Sequence, residues 1–279
     1  MYLKFIWKYC LSLSLAALLN KLFSKPMKIT AIKTPLVKEG DNLFAVITNA
    51  IDRLPEASVL AVSSKIISFS QSRLLLIQTG SSKEKHDLIA READLFLPCS
   101  ISRYDLMFTI KHGHLTVNAG IDESNAAGKY VLWPENLQET LNQLWVKLRE
   151  HYQINQLGLI VTDSRTWPLR WGVVGTCLAH CGFKQLHDYR GEKDLFEREI
   201  HFVQVNVAEA MASFSVLEMG EVAEQTPLGI IESASQIEFQ DRPPTAQELA
   251  DLKIDIEDDM YGPLLTSVKW HKGGGGIKL

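Results

Sequence analysis

Short apolar runs bounded by polar residues and turn formers recur along the chain and predict β-strands. They lie at 28–34, 58–63, 73–78, 156–162, 200–207 and 227–231. Between them, apolar residues spaced three or four positions apart predict amphipathic helices at 41–53, 83–92, 135–151 and 207–219. Strands mixed with helices in this way predict an α/β fold in the broad sense, mixed α+β arrangements included.

Differences in composition predict three regions. Residues 1–26 contain lysines and a short, serine-broken apolar stretch. We interpret them as an N-terminal extension or a mis-assigned start before Met27, with a membrane anchor as the alternative. Residues 27–240 carry the predicted strands and helices and form the main domain. A proline break then begins a C-terminal appendage, 241–279, and its run Gly273–Gly276 predicts a flexible end.

Charge and motif content narrow the classes of function. The formal net charge of −4 argues against a broad nucleic-acid-binding face, so no nucleic-acid partner is expected. The sequence contains neither the glycine-lysine pattern of a phosphate loop nor a Rossmann glycine fingerprint. A nucleotide, if one binds, is therefore held by a less common arrangement.

Cysteine spacing gives little support for a metal finger or a disulfide framework. None of the four cysteines forms a CxxC pair. Cys177, His180 and Cys181 lie close enough in sequence to raise a metal site as one interpretation. The small residues around them favour the other interpretation, a helix at 175–182 packed into the core.

Two aspartates lie in short polar segments beside apolar runs. Asp122 belongs to Asn118–Asn125 (NAGIDESN), and Asp163 follows the strand-like run at 157–161. Magnesium and manganese prefer oxygen ligands, and metal ions next to a phosphoryl group neutralise charge during its transfer. The pair therefore predicts a divalent-metal phosphate site. A turn or a helix cap is the alternative for either segment alone.

Several motifs, taken in order, resemble one family. They are Pro35–Asp41 (PLVKEGD), Ser63–Ser68 (SSKIIS), Asn118–Asn125, Val131–Pro134 (VLWP), Val161–Ser164 (VTDS), Tyr189–Gly191 (YRG) and Met219–Glu221 (MGE). The chain resembles the γ-glutamyl ligases that add glutamate to the deazaflavin precursor factor 420-0. Within that family it is most similar to the bacterial branch described as γ-glutamate ligases of folate metabolism. The resemblance covers about 27–235.

The resemblance implies a family-specific α/β fold in an intertwined homodimer. It also implies GTP or ATP as co-substrate and two divalent metals, Mg²⁺ or Mn²⁺. The implied metal ligands are Asp122 and Asp163 for one ion, and Ser164 and Glu221 for the other. The implied nucleotide-binding residues are Pro35, Leu36, Val37, Ser64, Lys65, Asn125, Met219, Gly220, Glu221, Val222, Ala223 and Glu224.

The expected chemistry joins a carboxylate to an amine through an acyl-phosphate. Lysine suits phosphate as a point charge, whereas arginine suits planar carboxylates. We therefore add Arg170 and Arg190 to the two aspartates as candidate catalytic residues, with Arg198 as a further substrate contact. A surface ion pair is the alternative for each arginine, and a solvated strand end is the alternative for Lys65.

Departures from the family pattern bear on the acceptor. Phe69 replaces a lysine, and Trp167 replaces an arginine. The Trp167 ring either stacks on a flat ring such as a pterin or serves in packing. We expect a cytoplasmic ligase that takes L-glutamate and a small folate- or pterin-like carboxylate. One alternative is an authentic factor 420-0 ligase. Another is a catalytically weakened nucleotide-binding module. Membrane attachment is expected only if 1–26 is an anchor.

Overall fold

The computed structural model describes residues 26–277. Its strands are β1 (Lys28–Ile32), β2 (Ser58–Ser63), β3 (Leu74–Leu76), β4 (Leu95–Phe96), β5 (Phe108–Lys111), β6 (His114–Val117), β7 (Lys129–Val131), β8 (Leu157–Thr166), β9 (Val173–Cys181), β10 (Leu186–Asp188), β11 (Gln204–Asn206), β12 (Leu228–Glu232) and β13 (His271–Lys272). Its α-helices are α1 (Leu43–Ala50), α2 (Ser64–Ser70), α3 (Ser82–Glu92), α4 (Leu137–Tyr152), α5 (Val207–Met219), α6 (Ala246–Ala250) and α7 (Gly262–Leu265).

A five-stranded sheet in the order β1-β12-β2-β8-β9 forms the centre. Strands β2 and β8 are parallel, and the other neighbouring pairs are antiparallel. The apolar run in β2 is continuous because both faces of the sheet are covered. Leu60 and Val62 face the core that contains α1 and α4, whereas Val59 and Ala61 face the core that contains α5. The mixed α/β class expected from the sequence is confirmed.

Side-chain hydrogen bonds fix the helices on both faces of this sheet. The Asn42 side chain accepts from the Ala45 amide at the start of α1, and Asn206 accepts from the Glu209 amide at the start of α5. On α4, the indole of Trp145 donates to the Leu157 carbonyl at 2.6 Å, which ties that helix to the first residue of β8. The helix expected at 207–219 has those bounds in the structure.

A second antiparallel sheet, in the order β13-β4-β5-β6, packs with α3 beside the central sheet. Sequence patterning did not predict its short strands. The C-terminal residues belong to this unit: Gly273 to Gly276 donate backbone hydrogen bonds to carbonyls at the end of α3 and just after it. The backbone of this glycine-rich run is therefore hydrogen bonded in the structure, and the flexibility expected of it stays a prediction. Gly273 and Gly274 approach another backbone too closely for a side chain to fit, and Gly275 and Gly276 have positive φ angles of 75° and 113°.

The segment 175–182 is not a helix, as its small residues suggested, but most of strand β9. A bulge where Val161 meets Thr162 shifts the register, so Cys177 faces one core while Ala179 and Cys181 face the other. Small side chains suit this strand because α5 packs directly against it: a Cβ on Gly175 would lie 2.3 Å from the Ala212 carbonyl oxygen. The packed-core interpretation of the cysteines agrees with their burial.

No helix within residues 26–277 combines the length and apolar character needed to span a bilayer. The anchor alternative concerns residues 1–26, of which 1–25 lie outside the described residues.

Acid is expected to destabilise the fold partly through His180. Its side chain is buried against Phe183, and burial lowers the pKa of His180 from 6.5 to about 4. The contribution of the neutral His180 ring to the free energy of unfolding is complete above pH 6.5. It decreases by up to about 3 kcal/mol as the pH falls towards 4. Urea unfolding across this range should show a flatter pH profile for His180→Gln. The exposed His201→Gln should follow the wild type, and an unchanged His180→Gln profile would contradict the assignment.

Candidate functional site

Strand pairing brings four segments to one edge of the central sheet. Because β2 and β8 are parallel, Ser63 lies opposite Thr162, so the residues after each meet at the same edge. The antiparallel β1–β12 pair places the segment after Ile32 beside the segment before Leu228. Two backbone hydrogen bonds join these connections, from Thr34 to the Gln225 carbonyl at 3.0 Å and from Ser63 to the Pro227 carbonyl at 2.9 Å.

A cavity of about 480 Å³ lies at this edge. It brings together most of the site residues expected from the sequence. Those that line it are Pro35, Leu36, Val37, Ser64, Lys65, Asp122, Asn125, Asp163, Ser164, Met219, Gly220, Glu221, Val222, Ala223 and Glu224. The α/β pattern and the ordered motifs therefore identified segments that are distant in sequence but adjacent in the structure.

The loop that carries Asp122 begins with a left-handed turn. Asn118 and Ala119 both have positive φ angles, of 54° and 53°, before Gly120 at 70°. Such angles cost energy for residues other than glycine and persist where surrounding bonds fix them. Here the Asn118 side chain accepts from the Met107 amide, and the Ala119 amide donates to Thr109. The second sheet thus holds the turn that leads to Asp122.

Asp122 is paired with Lys65 across the cavity. The Lys65 Nζ lies 2.5 Å from Asp122 Oδ2, and Ser124 donates to the same carboxylate through both its amide and its hydroxyl at 2.8 Å. Burial by itself raises the pKa of Asp122, but the bonds and charge of Lys65 and the bonds from Ser124 outweigh it. The net pKa lies below the usual value, so this carboxylate is ionised.

Asp163 lies one residue after the register shift between β8 and β9 and has a different environment. The indole of Trp133 donates to its Oδ2 at 2.5 Å, and the Ser164 amide donates to its Oδ1 at 2.8 Å. Burial raises the pKa of Asp163 to about 6, although both hydrogen bonds act in the opposite direction. The proximity of Asp122 raises it further. The two aspartates therefore have pKa values displaced in opposite directions within one cavity.

The loop between α5 and β12 closes the site from the other side. Ser164 Oγ donates to both carboxylate oxygens of Glu221, at 2.7 and 2.9 Å. Asn125 donates through its side-chain amide to the Val222 carbonyl at 2.6 Å, which joins the Asp122 loop to this one. The predicted ligand pair Ser164 and Glu221 is thus in direct contact.

The charges that line the cavity are unbalanced. Its described lining includes four carboxylates, Asp122, Asp163, Glu221 and Glu224, against Lys65 as its one cationic side chain. Clustered carboxylate and hydroxyl oxygens are the ligands that Mg²⁺ and Mn²⁺ prefer. Asp122, Asp163, Ser164 and Glu221 fit such ions by their chemistry.

Two predicted catalytic residues lie elsewhere on the chain. Arg170 is in the exposed connection between β8 and β9, where it donates to the adjacent Leu169 carbonyl. Arg190 pairs with Asp188 at 2.6 Å after strand β10. Neither lines the cavity within the single chain, so their contact with substrate stays a prediction. Trp167 is also outside the cavity, with the Arg165 guanidinium 4.3 Å from its ring centre.

Trp133 is the residue that sequence reasoning missed. It belongs to the VLWP motif, to which no role was assigned, yet it contacts both metal-ligand segments. Its indole donates to Asp163, and its ring packs against Gly120, where a Cβ would lie 2.1 Å from the indole nitrogen. In the sequence, a tryptophan followed by a proline carries no pattern that indicates a hydrogen bond to a metal-ligand aspartate.

A match to a family model places the chain in a class of ligases. Residues 31–233 match the family model F420-0:Gamma-glutamyl ligase, and the chain belongs to that family. Its members form carbon–nitrogen bonds. The match spans the strands and loops that build the cavity and ends shortly after β12.

Individual relatives agree with this assignment. The chain is 32% identical over 209 residues to the Coenzyme F420:L-glutamate ligase of Methanopyrus kandleri, covering 68% of this chain and 80% of that protein. It is 30% identical to the ligase of the same name from Methanocaldococcus jannaschii, covering 71% and 78% of the two chains. A third, from Archaeoglobus fulgidus, is also 30% identical, covering 71% and 83%.

Proposed function

We propose that this protein is a nucleotide- and divalent-metal-dependent γ-glutamyl ligase whose acceptor is a deazaflavin carboxylate of the F420 type. The observation that carries the proposal is the cavity in which Asp122, Asp163 and Glu221 face Lys65. Membership of a γ-glutamyl ligase family supplies the reaction class.

The reaction needs an activated carboxylate. The acceptor carboxylate attacks the γ-phosphorus of the nucleotide, and the nucleoside diphosphate leaves. The glutamate nitrogen then attacks the acyl carbon, loses a proton, and displaces phosphate to form the amide. Positioning and charge stabilisation account for most catalysis of phosphoryl transfer. Lys65 is suited to hold a phosphate oxygen once it exchanges its present partner, Asp122.

The charge balance supports a requirement for metal. Four carboxylates and one lysine would repel a triphosphate in the absence of counter-ions. We infer that Asp122 and Asp163 hold one divalent ion and that Ser164 and Glu221 hold the other. Bound Mg²⁺ or Mn²⁺ would supply charge neutralisation at the phosphates. The segments 35–37 and 219–224, together with Ser64 and Asn125, are proposed to contact the nucleotide.

The comparisons bear on the acceptor, for which they favour the alternative, a deazaflavin, over a folate or pterin. The sequence departures suggested a folate- or pterin-like acceptor, with a deazaflavin as the alternative. The relatives with the printed name Coenzyme F420:L-glutamate ligase support the deazaflavin better. Phe69, which suggested altered chemistry, packs with Leu74, Ala126 and Val131 and also lines the cavity.

The test offers the purified chain GTP or ATP, Mn²⁺ or Mg²⁺, L-glutamate and a panel of deazaflavin, folate and pterin acceptors. Mass spectrometry should detect one added glutamate on the deazaflavin, with no product when metal or nucleotide is omitted. Addition to a folate alone would overturn the proposed acceptor. Tight nucleotide binding without product from any acceptor would favour the binding-module alternative.

We also propose a homodimer, because two segments expose an unusual amount of apolar surface. Leu169, Trp171, Leu195, Phe196 and Phe202 are between 89% and 97% exposed. They lie in the β8–β9 connection and the excursion between β10 and β11, which also carry Arg170 and Arg190. A second copy that covers both segments therefore brings both arginines into the interface.

Light scattering is expected to give close to twice the chain mass of 31.4 kDa. Exchanging Phe196 and Phe202 for serine should shift the protein towards a monomer, because exposed aromatic rings contribute strongly to interfaces. The matched control exchanges Leu36, an exposed apolar residue that lines the cavity, for serine. A monomeric wild-type protein would contradict the homodimer.

A further inference from the structure

A buried ionic cluster lies beneath the candidate site. Glu92 and Lys111 are in direct contact, and Arg73 donates to both oxygens of Glu92 at 3.1 and 3.3 Å. All three side chains are at least 96% buried, and none of them belongs to the cavity. Charges this deeply buried need a full set of partners.

The C-terminal segment supplies further partners to Glu92 and Arg73. The Ile277 amide donates to Glu92 Oε1 at 2.9 Å, and the Ile277 carbonyl accepts from Arg73 at 2.6 Å. Gly273 and Gly274 reach this position by hydrogen bonding to the Asp94 and Ala90 carbonyls. We call residues 271–277 the C-terminal strap. It lies beyond the family match, which ends at 233.

The cluster is connected to the site through Trp133. Arg73 Nε donates to the Trp133 carbonyl at 3.2 Å, while the Trp133 indole donates to Asp163 at 2.5 Å. The indole ring also rests on Gly120, two residues before Asp122. Trp133 thus lies between the loop that carries Asp122 and the strand that carries Asp163. Its backbone carbonyl is held by Arg73, which also donates to the strap.

We propose that Trp133 is a positioning residue for the carboxylate of Asp163, and that the C-terminal strap holds Trp133 in place through Arg73. This inference rests on the proposed metal site. Partners that orient a ligating carboxylate typically change metal affinity by about 10- to 100-fold. The strap thereby gives the C-terminal appendage a role in the site.

Two substitutions test the Trp133–Asp163 contact and the strap separately. Trp133→Phe keeps an aromatic ring against Gly120 but removes the indole donor to Asp163. Gly273→Ala places a Cβ 2.1 Å from the Ala93 carbonyl oxygen and so displaces the strap with the smallest possible change. Lys272→Ala, at an exposed neighbouring position, is the matched control.

Mn²⁺ binding is measured by calorimetry on the full chain, with thermal melting to confirm that each variant is folded. Trp133→Phe should weaken binding about 10-fold. Gly273→Ala should weaken it by a smaller factor, and Lys272→Ala should bind as the wild type. In the double variant, Gly273→Ala should add nothing to Trp133→Phe, because both act on the same contact.

The outcomes distinguish this inference from the proposed function. A wild-type protein that binds no Mn²⁺, with or without GTP, would refute the metal site itself. A wild type that binds Mn²⁺ while Trp133→Phe binds equally well would overturn the positioning role. Independent losses that multiply in the double variant would overturn the route through Trp133, since they would show that the strap acts on the site in another way.

Discussion

Replacing Asp163 with asparagine should lower the rate of glutamate addition by roughly 1,000-fold. Loss of a metal ligand forfeits several kcal/mol of charge stabilisation during phosphoryl transfer, and each 1.4 kcal/mol corresponds to about tenfold in rate. Asparagine keeps the shape of the side chain and can still accept from the Trp133 indole. The protein should therefore remain folded. Asp122→Asn is expected to behave in the same way.

Mass spectrometry of the glutamylated product, measured under single-turnover conditions, checks this result. Asp87→Asn is the control, because Asp87 is an exposed carboxylate that pairs with Lys83 on α3, away from the cavity. Its activity should match that of the wild type. Wild-type turnover by both Asp122→Asn and Asp163→Asn would show that the metal assignment is wrong.

The second large effect concerns stability. Glu92→Gln should lower the free energy of unfolding by about 3–5 kcal/mol, because it leaves the buried cations of Arg73 and Lys111 without their shared carboxylate. Burial favours the neutral carboxyl, yet contacts with Lys111, Ile277 and Arg73 keep the pKa of Glu92 below its ordinary value. The folded state therefore depends on this negative charge.

Urea unfolding measures the loss for Glu92→Gln against a matched control. Glu135→Gln removes another carboxylate that pairs with Arg73, at 2.9 Å, but this one is 42% exposed. Its loss should cost less than about 1 kcal/mol, since exposed ion pairs contribute little. Equal losses for the two variants would contradict the view that burial makes the cluster around Glu92 critical.

The sequence predicted elements wherever the pattern of the chain was strong. The apolar run in β2 and the apolar residues spaced three or four positions apart in α4 specify a buried strand and a helix through local spacing alone. Most of strand β9 was predicted to be a helix. Its small residues are needed because α5 packs closely against them, and local spacing in the sequence does not reveal that contact. The short strands of the second sheet carry too few residues for a period to emerge.

The candidate ligands could be named from the sequence because Asp122 and Asp163 lie in motifs with polar residues at fixed spacing. Their assembly into one cavity depends on pairing between distant strands, above all the parallel β2–β8 pair. Residue types and motif order thus determined the family resemblance and the donor set. Only the tertiary structure decided that Trp133 bridges the Asp122 loop and the Asp163 strand, and that Ile277 contacts a buried ionic cluster. Both contacts join residues far apart in sequence, and their strength comes from burial.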